Sequence, residues 1–162
     1  MDIDKLTQET QKIKLKKDLL WDTVDAYTDI IIIGNGGSNS VASHIAQDYT
    51  KALDKRAISF SDPSRLTCYI NDYGRDNAYA EFLEDFASKD TLVILISSSG
   101  NSMNIINAAK YCEVWSIDYV ALSGFNKDNK LNNLNSKLKF WVDSSDYGIV
   151  ECTHQAFLHS IL

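Results

Sequence analysis

Runs of apolar residues recur along the chain, and most of them stop at a short polar turn. Asp29 to Ile33 carries four consecutive isoleucines and gives way to Gly34-Asn35-Gly36-Gly37-Ser38. Leu92 to Ile96 gives way to Ser97-Ser98-Ser99-Gly100-Asn101-Ser102. Runs of this length bounded by glycine or serine predict strands, and the stretches that follow predict helices. Shorter runs at Arg56–Phe60, Asp118–Leu122 and Leu138–Val142 complete five strands. Between them, helices are predicted over Leu66–Tyr73, Ala78–Ala87, Ser102 to about Val114, and Tyr147–Leu162, while the polar Asn126–Lys137 stretch predicts a loop or weak helix. Before the first strand, Ile3, Leu6, Ile13, Leu15, Leu19, Leu20, Val24 and Tyr27 fit one amphipathic helix or two short ones. Alternation of this kind predicts an α/β fold, a parallel sheet flanked by helices on both faces.

The two turns after the long runs are the main carriers of function. A glycine turn leading into a helix presents free backbone N–H groups and the positive end of the helix dipole, both suited to an anion. The first turn lacks the G-x-G-x-x-G spacing of a dinucleotide site and the Gly-Lys-Ser/Thr of a P-loop. Taken alone it is also explained by close packing of helix on sheet. The four serines of the second turn, Ser97, Ser98, Ser99 and Ser102, exceed what a helix cap needs. With no Lys or Arg in either turn, the expected ligand is a phosphomonoester held by dipoles and hydroxyls.

Only three histidines are present. His44 precedes Asp48 by one helical turn, so the two share a face. In the last helix Glu151 and His159 project about 80° apart, with His154 about 60° to the other side of Glu151. Two helices therefore each offer a histidine and a carboxylate, the donor set of a zinc-like ion and equally of an acid/base pair. Periodicity alone favours the plainer reading, histidines that only pack or face solvent, and His154 keeps that reading.

A formal charge of −6 argues against nucleic-acid and anionic-membrane surfaces. No apolar run is long enough to span a bilayer, and the N-terminus has no signal-peptide core. Cys68, Cys112 and Cys152 are widely spaced, without a C-x-x-C, as expected of free thiols in the cytoplasm.

The order IIIIGNGGS, H-x-x-x-D, Ser61-Asp62-Pro63, Asn71-Asp72-Tyr73-Gly74, ISSSGNS, ALSG and VECTHQAFLH resembles the sugar isomerase (SIS) domain over the whole chain, and within it the phosphoheptose isomerases. The resemblance implies a flavodoxin- or Rossmann-like sandwich around a five-stranded parallel sheet, with an N-terminal oligomerisation helix over residues 1–28 and the SIS domain over 29–162. It implies an aldose–ketose isomerase acting on sedoheptulose 7-phosphate through an enediol, assisted by zinc, in a homotetramer. Ser97, Ser98, Ser99 and Ser102 would hold the phosphate, and Asn35, Gly36, Gly37 and Ser38 would line the sugar. Asn71 and Asp72 match a pair near the active site that often faces a neighbouring subunit. Asp48, Glu151 and His159 would be catalytic, and His44, Asp48, Glu151 and His159 would hold the metal.

Several positions depart from the family pattern. Asp48 stands where relatives carry glutamate and Glu151 where many carry glutamine. The arginine after the catalytic helix is not evident, with Lys51 or Lys55 as its substitute. The chain stops just past His159, so the last turn is expected to fray. These departures favour an alternative, a non-catalytic SIS protein that binds a sugar phosphate or a partner as a regulator.

Overall fold

All 162 residues are described by the computed structural model. The apolar runs form strands β1 (Asp29–Gly34), β2 (Arg56–Ser59), β3 (Thr91–Ser97), β4 (Tyr119–Ser123) and β5 (Leu138–Trp141). They pair in parallel in the order β2-β1-β3-β4-β5, as the alternation of elements predicts. Register explains why the isoleucine run is unbroken. Ile30 and Ile32 face one layer while Ile31 and Ile33 face the other, so both faces of β1 are buried.

The helices are α1 (Ile3–Gln11), α2 (Lys17–Asp25), α3 (Gly37–Ala52), α4 (Pro63–Tyr73), α5 (Ala78–Phe86), α6 (Met103–Trp115), α7 (Lys130–Asn133) and α8 (Tyr147–His159). One layer of core joins the N-terminal segment, α3 and α8 to the sheet through Ile13, Leu20, Val24, Val41, Ile45 and Phe157. The other joins α5 and α6 through Phe82, Leu83, Ile105 and Ala109. The chain leaving β1 therefore turns to one face and the chain leaving β3 to the other. Between these adjacent strands lies the switch point, the crevice where open α/β sheets bind ligands.

Three elements sharpen the sequence reading. The N-terminal segment is two helices, interrupted by a 3-10 turn at Lys12–Leu15. Ser61-Asp62-Pro63 starts a helix: Asp62 caps it by accepting from the Arg65 N–H at 2.8 Å, and Pro63 occupies the first position, where its missing N–H costs nothing. The last turn of α8 does not fray as expected. Ile161 is buried and the Tyr49 hydroxyl donates to the Leu158 carbonyl at 2.9 Å, pinning the turn that carries His159.

Candidate active site

The serine turn is built from backbone. Gly100 adopts φ +65°, a left-handed conformation that glycine tolerates, and its N–H closes the turn on the Ser97 carbonyl at 2.9 Å. Ser102 is the N-cap of α6, but its side chain makes no capping bond, so the helix N-terminus retains donors for an anion. Ser97, Ser98, Ser99 and Ser102 line a pocket of about 120 Å³ together with Asn35, Ser38, Ile96, Tyr147 and Glu151. The Ser38 and Ser98 hydroxyls are 3.5 Å apart, and those of Ser97 and Ser102 are 3.4 Å apart. The structure thus gathers both predicted turns around one small polar pocket.

Asn35 is held from the far side of the switch point. Its amide and that of Asn104 exchange hydrogen bonds at 3.1 and 2.8 Å, and the Tyr79 hydroxyl donates to Asn35 Oδ1 at 2.9 Å. Burial pushes the Tyr79 phenol up to about 12, so it stays a donor. Asn104 and Tyr79 were not among the sequence-predicted site residues. For Asn104 the available signal was its place two residues past Ser102, in the first turn of the helix. Tyr147 lines the pocket too, exposed, its ring edge-on to Phe125. Gly36 leads into α3 with φ +55°, again a glycine conformation.

Three turns along α3, a second group forms. Nε2 of His44 and Nε2 of His159 lie 3.0 and 2.9 Å from the same carboxylate oxygen, Asp48 Oδ2. The two imidazole rings meet edge to face with centroids 5.0 Å apart. Hydrogen bonding from His159 holds the Asp48 carboxyl below the usual carboxylate range, against a smaller opposing effect of desolvation. Asp48 Oδ1 has no protein partner. One ligand atom from each of His44, Asp48 and His159 lies within 4.8 Å of the others, a spacing able to hold a metal ion.

Of the four expected metal-binding residues, His44, Asp48 and His159 form this group and Glu151 lies outside it. Its carboxylate rests over Gly37, at the start of α3, where an added Cβ would come within 2.3 Å of Oε2. Projection down a helix axis ignores distance along it: eight residues separate Glu151 from His159 by about 12 Å. Desolvation raises the Glu151 pKa. His154, set aside in the sequence, is fully buried. Its Nε2 faces the Ser123 carbonyl at 3.0 Å, and burial pushes its pKa down to about 4. Asn71 and Asp72 are exposed on α4, bonded to each other, and neither lines the serine pocket. Lys55 is tied to the Asp25 carbonyl at 3.1 Å and Lys51 is exposed, and neither enters the pocket.

The model of the SIS domain family matches residues 3–124. A phosphoheptose isomerase of Fusobacterium nucleatum is 33% identical over 161 residues, covering 96% of this chain and 80% of the relative. One from Campylobacter concisus is 32% identical over 156 residues, covering 92% and 81%. Among solved structures, a phosphoheptose isomerase from Neisseria gonorrhoeae superposes with a TM-score of 0.87 at 25% identity, covering 96% of this chain and 88% of the other.

Proposed function

The chain belongs to the SIS domain family, and we propose that within it the protein is a phosphoheptose isomerase, interconverting sedoheptulose 7-phosphate and D-glycero-D-manno-heptose 7-phosphate through an enediol. The observation that carries this reading is the pairing of a serine-lined phosphate pocket with a His–Asp–His group further along the same helix pair. Gly37 and Glu151 mark the pocket end of α3 and α8, and Asp48 and His159 mark the other end. The axial offset of about 12 Å suits an extended seven-carbon phosphate, which spans about 10 Å with single bonds near 1.5 Å.

With the phosphate seated among Ser97, Ser98, Ser99 and Ser102, the carbonyl end of the sugar lies toward Asp48 and His159. The free Oδ1 of Asp48 takes the proton from C1 of the ketose and returns it to C2. Its lowered pKa keeps it ionised at neutral pH, and the two histidines fix its orientation through Oδ2. With its Nε2 free of metal, His159 moves a proton between the two substrate oxygens; as a metal ligand it would instead serve to hold the ion against them. Glu151 and Asn35, at the pocket end, meet the sugar hydroxyls nearest the phosphate.

The group also fits zinc. Two imidazole nitrogens and a carboxylate oxygen are zinc's usual donors, and bonds of about 2 Å place tetrahedral ligands about 3.3 Å apart, close to the spacing in this group. His44, Asp48 and His159 would hold the ion, which supplies Lewis-acid polarisation of the substrate oxygens. A homotetramer in the cytoplasm is part of the same proposal. Exposed Ile3, Leu15, Leu19 and Trp21 on the N-terminal segment support an oligomerisation role, and no helix is long and apolar enough to cross a membrane. Aldose formation from sedoheptulose 7-phosphate, followed with added zinc and after chelation, tests the reading. Turnover lost on chelation and restored by zinc is expected. Binding of the sugar phosphate without turnover under either condition would make the protein a regulator.

A further inference from the structure

The polar stretch between β4 and β5 has no part in the mechanism above, yet it is packed directly behind the serine turn. Its centre is Asn129, only 2% exposed. The Asn129 amide nitrogen donates to the Ser123 hydroxyl at 3.2 Å, the Gly124 carbonyl at 3.2 Å and the Asn126 carbonyl at 2.8 Å. Its oxygen accepts from the Asn132 N–H at 2.8 Å and so caps α7. That same oxygen sits against Gly100: a Cβ on Gly100 would lie 1.9 Å from it.

Around this contact the turn is stitched to its support. Leu131 N–H donates to the Gly100 carbonyl at 2.9 Å, Lys130 N–H to Asn101 Oδ1 at 3.2 Å, and Gly124 N–H to the Ser98 carbonyl at 2.9 Å. All three donors belong to segments whose position Asn129 fixes. Gly100, Asn101 and Ser98 are in turn the residues whose backbone orients the serine hydroxyls and the first N–H groups of α6.

We infer that Asn129 is a positioning residue for phosphate binding, holding the serine turn in its anion-ready conformation without touching the ligand. The inference rests on the reading of Ser97–Ser102 as the phosphate site. Glycine enters the left-handed region without strain and leaves it as easily, so packing partners are what keep the hydroxyls aligned before ligand arrives. A buried amide with four partners provides that constraint. Its effect belongs on substrate affinity and not on the proton transfers, which take place at Asp48 and His159.

The test uses Asn129→Ser, which keeps a capping oxygen for the Asn132 N–H while removing the branch that reaches Ser123 and Gly124. Asn133→Ala is the control: Asn133 is exposed, in the same short helix, and donates only to the Asp128 carbonyl at 3.3 Å. Binding of inorganic phosphate is measured by calorimetry on the full chain, and KM and kcat on sedoheptulose 7-phosphate. The expected result for N129S is a loss of about tenfold or more in phosphate affinity with a matching rise in KM, the size expected when a hydrogen bond to a charged group is lost, while kcat stays within about threefold. N133A should match the unaltered protein. A folded N129S with unaltered phosphate affinity, or one that loses kcat and keeps KM, overturns the inference. Failure of the unaltered protein to bind phosphate or sugar phosphate would overturn the phosphate site itself, and the inference with it.

Discussion

The serine pocket and the His44–Asp48–His159 group lie at opposite ends of one helix pair and are made in different ways. The pocket is made by the backbone: Ser97, Ser98 and Gly100 are buried, and the turn is held by main-chain bonds from Gly124 and Leu131. The histidine group is made by side chains on helix surfaces, with His44 about half exposed and only Asp48 joining the two imidazoles. Preorganised main-chain donors suit capture of a phosphate in a fixed geometry. Partly exposed side chains suit proton movement and metal exchange. Damage at one end should therefore leave the other intact.

The strongest way to break that separation is at His159. His159→Ala removes the proton-transfer group, and kcat is expected to fall roughly 10²–10⁴-fold while phosphate affinity by calorimetry is unchanged. An equal fall in phosphate affinity would mean that the ends are coupled. Ser102→Ala probes the opposite end. Loss of a hydrogen bond to a charged group, about 1.5–3 kcal/mol, should raise KM about 10–100-fold with little change in kcat.

Gly37→Ala sharpens the comparison from the middle. Its backbone is helical and accepts alanine, and the new Cβ would meet only the end of the Glu151 side chain. Displacement of Glu151 should lower kcat/KM about tenfold, with thermal stability and metal content unaffected. The smallest effect concerns His154, the histidine on the buried side. With a folded pKa of about 4 against 6.5 for the free side chain, the unfolded chain binds the proton that the native chain refuses. Stability should therefore be full above about pH 6.5 and decline on acidification toward pH 4, by at most about 1.4 kcal/mol per pH unit. Urea unfolding across that window, with and without His154→Gln, should show the slope flatten in the variant.

Much of the site was legible because its signals are local. Four isoleucines ending at glycine could only be a strand buried on both faces, and a turn with four serines exceeds any capping need. His44 and Asp48 are one turn apart on one helix, so their meeting follows from helix geometry alone. Glu151 does not join the His44–Asp48–His159 group, because angular projection leaves out the axial separation of about 12 Å from His159. Asn104, Tyr79 and Asn129 left little trace, since asparagine and tyrosine are common in polar loops and helices. Asn104 and Tyr79 meet Asn35 across 69 and 44 residues, and Asn129 meets Gly100 from a separate loop.

By itself the sequence determined the order and type of the elements, the parallel sheet and the two anion-ready turns, because hydrophobic period and turn chemistry act over a few residues. It also determined the family, through motifs kept in order along the whole chain. Only the tertiary structure decided that His159 joins His44 and Asp48 while Glu151 stays with the serine pocket, and that a buried asparagine packs against the serine turn. Those outcomes depend on how far along each helix a residue sits and on what the facing helix or loop offers there, which the packing of α3 against α8 and of α7 against the serine turn sets.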